Sequence, residues 1–209
     1  MKVLGVVLDR RLAFDRHVTA VARACNYHAW AIQHIGHLSA ELADTLNCSL
    51  ILSRLDYCNA VLYGAQVSSI QKLQRVQNTA ARIVTQSPRR AHALPLLEQL
   101  HWLPVRQRIE YKLAVLTFKI RRSSTPAYAS PVTSDRVKFH IFVTPKRLYC
   151  TNLLYQNSLC RPCFLLYCYS TTVWNSFSND VGTSLAVFKS ILKTFLFRQT
   201  FRPSWFSRP

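Results

Sequence analysis

The sequence predicts a mainly α fold: a helical bundle over residues 15–122, preceded by one short β-strand and followed by an irregular C-terminal region. Three observations predict it. Apolar residues recur at three- and four-residue steps through residues 15–122, the spacing of one helix face. The breakers Gly64, Pro88, Pro95 and Pro104 fall between those runs. Beyond Ser123 the period stops, and aromatics, cysteines and prolines mix irregularly over residues 130–172.

Each element has its own signal. Val3 to Leu8 is a β-branched run closed by Asp9-Arg10-Arg11, which reads as a strand entering a turn. Residues 15–37 read as a helix with Val18, Val21, Ala22, Cys25, Ala29 and Ile32 inward and Asp15 as its N-cap. Residues 40–57 read as a second helix, with Leu42, Leu46, Leu50 and Ile51 on its apolar side. Ser68 or Ser69 caps a third helix that continues to about Gln86 and is ended by Pro88. Pro95 opens a short helix containing Leu96, Leu97 and Leu100. Pro104 opens a longer one through Arg121, with Val105, Ile109, Leu113, Leu116 and Ile120 on one face. Ser123-Ser124-Thr125-Pro126 reads as a linker. A short amphipathic helix returns over residues 185–197, with Leu185, Phe188, Leu192 and Phe195 aligned, and residues 198–209 read as a frayed tail. The expected division is residues 1–14, residues 15–122 and residues 123–209.

Composition narrows the function. The chain has 209 residues, enough to bury a core, and 49% of them are hydrophobic, which argues against disorder throughout. Lys and Arg total 27 against 9 Asp and Glu, a formal net charge of +18. That imbalance favours a polyanionic partner, nucleic acid before an acidic membrane surface. No apolar run approaches the roughly 18–20 residues a membrane helix needs. The N-terminus runs straight into Met1-Lys2-Val3-Leu4-Gly5 without a secretory pattern, so an intracellular location, cytoplasmic or nuclear and not secreted, is expected. The seven cysteines are then expected as free thiols.

The third helix carries the best binding constellation. Lys72, Arg75, Arg82 and Arg89 fall on one side, Ile70, Leu73, Gln77, Ala80, Ala81 and Val84 on the other, and Arg90 extends the basic end. Such a stripe can follow a phosphate backbone, releasing counterions and making affinity salt-dependent; the competing reading is a solvated polar face. A second basic cluster comprises Arg106, Arg108, Lys112, Lys119, Arg121 and Arg122. Trp102 could stack on a base, but a Trp just before a helix more often plugs the core.

Other chemistry fares worse. Cys160-Arg161-Pro162-Cys163, with Cys150 and Cys168, is one close pair with scattered companions, whereas a zinc site wants two pairs at defined spacing. His34 and His37 are similarly unaccompanied. The acids Asp9, Asp15, Glu41, Asp44, Asp56, Glu98, Glu110, Asp135 and Asp180 include no adjacent pair for two-metal phosphoryl transfer. Only four glycines are present and none forms a phosphate loop. No catalytic residue, metal or cofactor is therefore expected.

Three runs share one kinship: Ser53-Arg54-Leu55-Asp56-Tyr57-Cys58-Asn59, Lys72-Leu73-Gln74-Arg75-Val76-Gln77-Asn78 with Ala80-Ala81-Arg82, and Leu100-His101-Trp102-Leu103-Pro104-Val105. Their succession resembles the segment after the polymerase core in LINE-type (non-LTR) retrotransposon reverse transcriptases, the jockey-like group in particular. Val3-Leu4-Gly5-Val6-Val7-Leu8-Asp9 and Leu12-Ala13-Phe14-Asp15-Arg16-His17 are similar to that family's last palm strands and the start of its thumb. Pro126-Ala127-Tyr128, Val173-Trp174-Asn175-Ser176 and the run from Phe188 to Phe197 are similar to its C-terminal landmarks. The resemblance implies a palm remnant over residues 1–14 and a thumb-like helical bundle over residues 15–122. The family's paired catalytic aspartates lie upstream of its Leu-Gly-Val strand and have no counterpart in this sequence. Residues 130–170 also depart from the family's Arg- and Gly-containing pattern, which suggests decay or a frame change.

The expected function is that of a reverse transcriptase fragment without the catalytic palm. Its partner would be RNA or an RNA/DNA duplex, held by the backbone and without sequence preference. Two alternatives stay open: a pseudogene-like product with no biochemical role, and a domesticated basic module binding nucleic acid or protein.

Overall fold

Residues 2–7 double back on themselves. Strands β1 (Lys2–Val3) and β2 (Val6–Val7) pair antiparallel, Lys2 opposite Val7 and Val3 opposite Val6, where one continuous strand was expected. The two turn residues, Leu4 at φ 47° and Gly5 at φ 82°, both adopt the positive φ that matches a two-residue hairpin to strand twist. The periodicity reading missed this because Leu carries no turn signal. Tyr57 anchors the hairpin by donating its hydroxyl to the Leu4 carbonyl at 2.6 Å.

The computed structural model describes residues 1–10, 13–35, 38–123, 143–144, 147–148 and 184–201. His37, the cysteines beyond Cys58, and the landmarks at residues 126–128 and 173–176 lie outside the described residues.

The mainly α fold stands. Helix α1 (Asp15–Gln33) packs chiefly on α4 (Val67–Val84); α1 buries Val18, Cys25, Ala29 and Ile32, and α4 buries Leu73, Val76, Ala80, Ala81 and Val84. Asp15 is the first residue of α1 and not its cap; Phe14, left-handed at φ 60°, holds that place. The Asp15 carboxylate instead accepts a hydrogen bond from Ser69 in α4. Neither Ser68 nor Ser69 caps α4, which begins after an extended Gln66 without a side-chain cap.

The expected second helix is a rod of three pieces: α2 (Ala40–Asn47), a π-turn (Cys48–Leu52) and α3 (Ser53–Asp56). Ser39 caps it, accepting from the Leu42 amide at 3.3 Å. Ala43, Asn47, Ile51 and Leu55 are buried, repeating every four residues. In a regular α-helix that row would swing by about 40° per step, and the wider π-turn recovers part of the drift. Leu42, expected inside, is exposed.

A 3₁₀ turn (Asn59–Leu62) leads to α4, and α5 (Ala93–Gln99) packs against it. Trp102, 6% exposed, is the core plug. Helix α6 (Val105–Ser123) starts one residue after Pro104. Its first amide, at Val105, donates to Gln74 Oε1 at 2.9 Å, so α4 supplies the cap of α6. Buried Gln77 secures the same junction through Nε2 to the Leu103 carbonyl at 2.9 Å. Helix α7 (Leu185–Phe201) is longer than expected, and its inward row is Phe188, Leu192 and Leu196; Phe195 is exposed.

The chain divides into two compact units, Met1–Lys112 with Ala186–Pro209, and Leu113–Leu185. In the first, Phe197 of α7 lies 5.4 Å from the His101 ring. The second contains the C-terminal part of α6 and a hairpin of β3 (Val143–Thr144) and β4 (Arg147–Leu148).

Candidate nucleic-acid interface

Helix α4 presents the first part of the site because its other face is committed to the core. With Leu73, Val76, Gln77, Ala80 and Ala81 buried, the helical period turns Lys72, Arg75 and Thr79 outward, and all three are exposed. Lys72 and Arg75 lack a carboxylate partner among the described residues. Their exposure matches the outward face that the sequence reading gives them.

Arg82 departs from that reading. Its Nε and Nη2 both donate to the Ala91 carbonyl, at 3.1 and 3.0 Å, and the side chain is half-buried. Arg82 therefore closes the turn Pro88-Arg89-Arg90-Ala91, which is also held by the Ala91 amide on the Pro88 carbonyl at 2.9 Å. The helical wheel could not foresee this, because the acceptor lies on a loop nine residues away. The consequence for the site is favourable: Arg89 and Arg90 sit exposed at the tip of a pinned turn. Beside it lies an open hollow of about 490 Å³, lined by Ile32, Leu38, Thr79, Arg82 and Arg89 among others.

The second cluster also divides. Arg106 is highly exposed but lies 3.5 Å from Glu110 one turn on, a solvent-screened pair. Arg108 is 2.6 Å from Asp56 and donates its Nε to the Leu103 carbonyl at 2.9 Å, so its charge is compensated. Lys112 is exposed, with no carboxylate partner among the described residues.

One cation was missed. Lys193 of α7 lines the same hollow as Arg108, Tyr111 and Lys112, a space of about 590 Å³. Sequence reading kept α7 apart from the bundle, and only folding brings it beside α6's first turns. Burial raises the Tyr111 hydroxyl pKa above its ordinary value, and burial lifts the Cys48 thiol at the hollow's rim to about 11. Neither group offers a second anion or a nucleophile there. Among the described residues no three His, Cys, Asp or Glu side chains gather as a metal site, and no helix is long and apolar enough to cross a membrane.

Two curated proteins are similar in sequence. The "Probable RNA-directed DNA polymerase from transposon X-element" of Drosophila melanogaster is 33% identical over 90 residues, 40% of this chain and 10% of that protein. The "Probable RNA-directed DNA polymerase from transposon BS" of the same fly is 28% identical over 131 residues, 58% of this chain and 14% of that protein. The chain thus spans between a tenth and a seventh of the length of these relatives. Both matches support the resemblance to LINE-type reverse transcriptases drawn from the residue runs. No protein-family profile matches the chain, and no solved structure does.

Proposed function

We propose that this chain, related to transposon reverse transcriptases, grips the backbone of RNA or of a template–primer duplex without reading sequence. The observation that carries the reading is the exposed cationic track of Lys72 and Arg75 on α4, continued by Arg89 and Arg90 at a turn that Arg82 clasps. Exposed cations free of carboxylate partners neutralise phosphates and release counterions, and such contacts position a strand while carrying no sequence information. Lys112 and Lys193 add two more positive ends at a second hollow.

In this reading the chain has no polymerase activity of its own. Among the described residues, four carboxylates are engaged in separate local contacts. Asp9 accepts from the Ala13 amide, Asp15 from Ser69, Asp56 from Arg108, and Glu110 pairs with Arg106. Two-metal phosphoryl transfer needs carboxylates that converge on the cations.

The test is affinity for a labelled RNA and an RNA/DNA duplex, measured across a salt series. Affinity is expected to fall steeply with salt, and Lys72→Glu with Arg75→Glu to flatten the slope by about one unit for each phosphate that is no longer neutralised. Affinity indifferent to salt and to both reversals overturns the reading. Metal-dependent primer extension by the purified chain overturns its non-catalytic part.

A further inference from the structure

The outer face of α1 is a continuous row that neither basic cluster includes. Arg16, Ala20, Arg23, Tyr27, Trp30 and His34 follow one another at alternating steps of four and three residues, so they form one stripe along the helix. All six are exposed. Tyr27 and Trp30 are the unusual members, at 66% and 59% exposure, since large aromatic side chains normally bury most of their surface.

The rings are held in place. The Trp30 and His34 rings meet at a 39° tilt with centroids 4.4 Å apart, and the His34 Nδ1–H donates to the Trp30 carbonyl at 2.7 Å. Tyr27 meets His28 edge-on at 5.6 Å. On α1 the single acid is Asp15, which is engaged by Ser69, so nothing on this helix neutralises Arg16 or Arg23. The flanking residues Thr19, Asn26 and Gln33 are polar and exposed. Aromatic faces between cations and polar groups suit a polyanion with π-faces better than an apolar protein surface.

We propose that this face of α1 is a stacking platform for unpaired nucleotides: bases lie on Trp30 and Tyr27, and the adjoining phosphates meet Arg23 and Arg16. Tyr27 and Trp30 are about 4.5 Å apart along the helix axis, which lets neighbouring bases each find a ring. The inference rests on the nucleic-acid reading above and extends it from duplex backbone to single strand.

The experiment compares the full chain with its Trp30→Ala, Tyr27→Ala and Trp30→Phe variants. Each is titrated with a labelled single-stranded oligonucleotide and with the blunt duplex of the same sequence. Each alanine variant is expected to bind the single strand roughly five- to a hundredfold more weakly, with duplex affinity unchanged and Trp30→Phe close to the parent. Equal losses on both ligands, or no loss on the single strand, overturn the platform. If the parent chain binds neither ligand, the nucleic-acid reading itself fails and the platform with it. If Trp30→Ala dissociates an oligomer in sedimentation, the face is a contact between copies and the proposal is wrong.

Discussion

Arg108 reaches across 52 residues of sequence to Asp56, placing Nη1 2.6 Å from Oδ2 while its Nε holds the Leu103 carbonyl. One side chain thereby ties α3, the loop before α6, and α6 itself. The guanidinium suits this role because its planar fork can serve a carboxylate and a carbonyl together. A residue that sequence alone nominates as a phosphate contact is thus a structural clasp.

Arg108→Ala is therefore expected to lower stability by about 1 kcal/mol, since it takes the guanidinium from a half-exposed carboxylate and removes one of the two donors of the Leu103 carbonyl, which Gln77 still serves. Urea denaturation checks the loss. The same variant should leave the salt slope of RNA binding close to the parent's, whereas Lys72→Glu should flatten it. A flattened slope for Arg108→Ala would return Arg108 to the interface.

The contrast shows what a helical wheel can and cannot reveal. Lys72, Arg75 and Gln77 were placed on their true faces because α4 is regular and its neighbours cover one side only. Arg82, Arg106 and Arg108 lie on equally regular helices, but their fates depend on Ala91, Glu110 and Asp56. For Arg82 and Arg108 the partner comes from another element, and no periodicity encodes it. The hairpin was illegible for a local reason: its left-handed turn uses Leu4, a residue with no preference for positive φ. Lys193 was missed for a global one, because the segment before α7 carries no pattern from which its docking could be read.

His17 makes a pH-dependent link between the hairpin and α1. It is 4% exposed, and its Nδ1 accepts a hydrogen bond from the Val7 amide at 3.4 Å, which requires the neutral ring. Burial pushes its pKa below the ordinary 6.5. The unfolded chain therefore takes up a proton at this residue before the folded chain does, and stability falls as the pH drops below about 6.5 toward the folded value. Denaturation midpoints measured from about pH 7.5 to pH 5.5 should decline for the parent chain. His17→Gln should be less stable at the upper end and should decline less. Parallel declines for the two chains would exclude His17 as the group responsible.

Two helices end in the same left-handed closure without glycine. After α4, the Ser87 amide donates to the Arg82 carbonyl at 2.9 Å and the Gln86 amide to Ile83 at 3.3 Å, with Gln86 at φ 51°. After α5, Trp102 donates to Leu97 at 2.9 Å and His101 to Glu98 at 3.0 Å, with His101 at φ 53°. Glycine is the residue that this geometry favours, because a Cβ in the left-handed region crowds the following carbonyl at a cost of roughly 1–2 kcal/mol. Gln86 is the cleaner position to relieve, since the His101 ring packs near Phe197. The Gln86 side chain makes one exposed hydrogen bond to the Leu38 carbonyl, at a long 3.3 Å, and water can replace it. Gln86→Gly should therefore raise stability by about 0.5–1 kcal/mol even after the greater freedom of glycine in the unfolded chain is counted. The urea midpoint should rise with an unchanged slope, while Gln86→Val should lower it. A lower midpoint for Gln86→Gly would show that the amide's hold on Leu38 outweighs the left-handed backbone at this helix end.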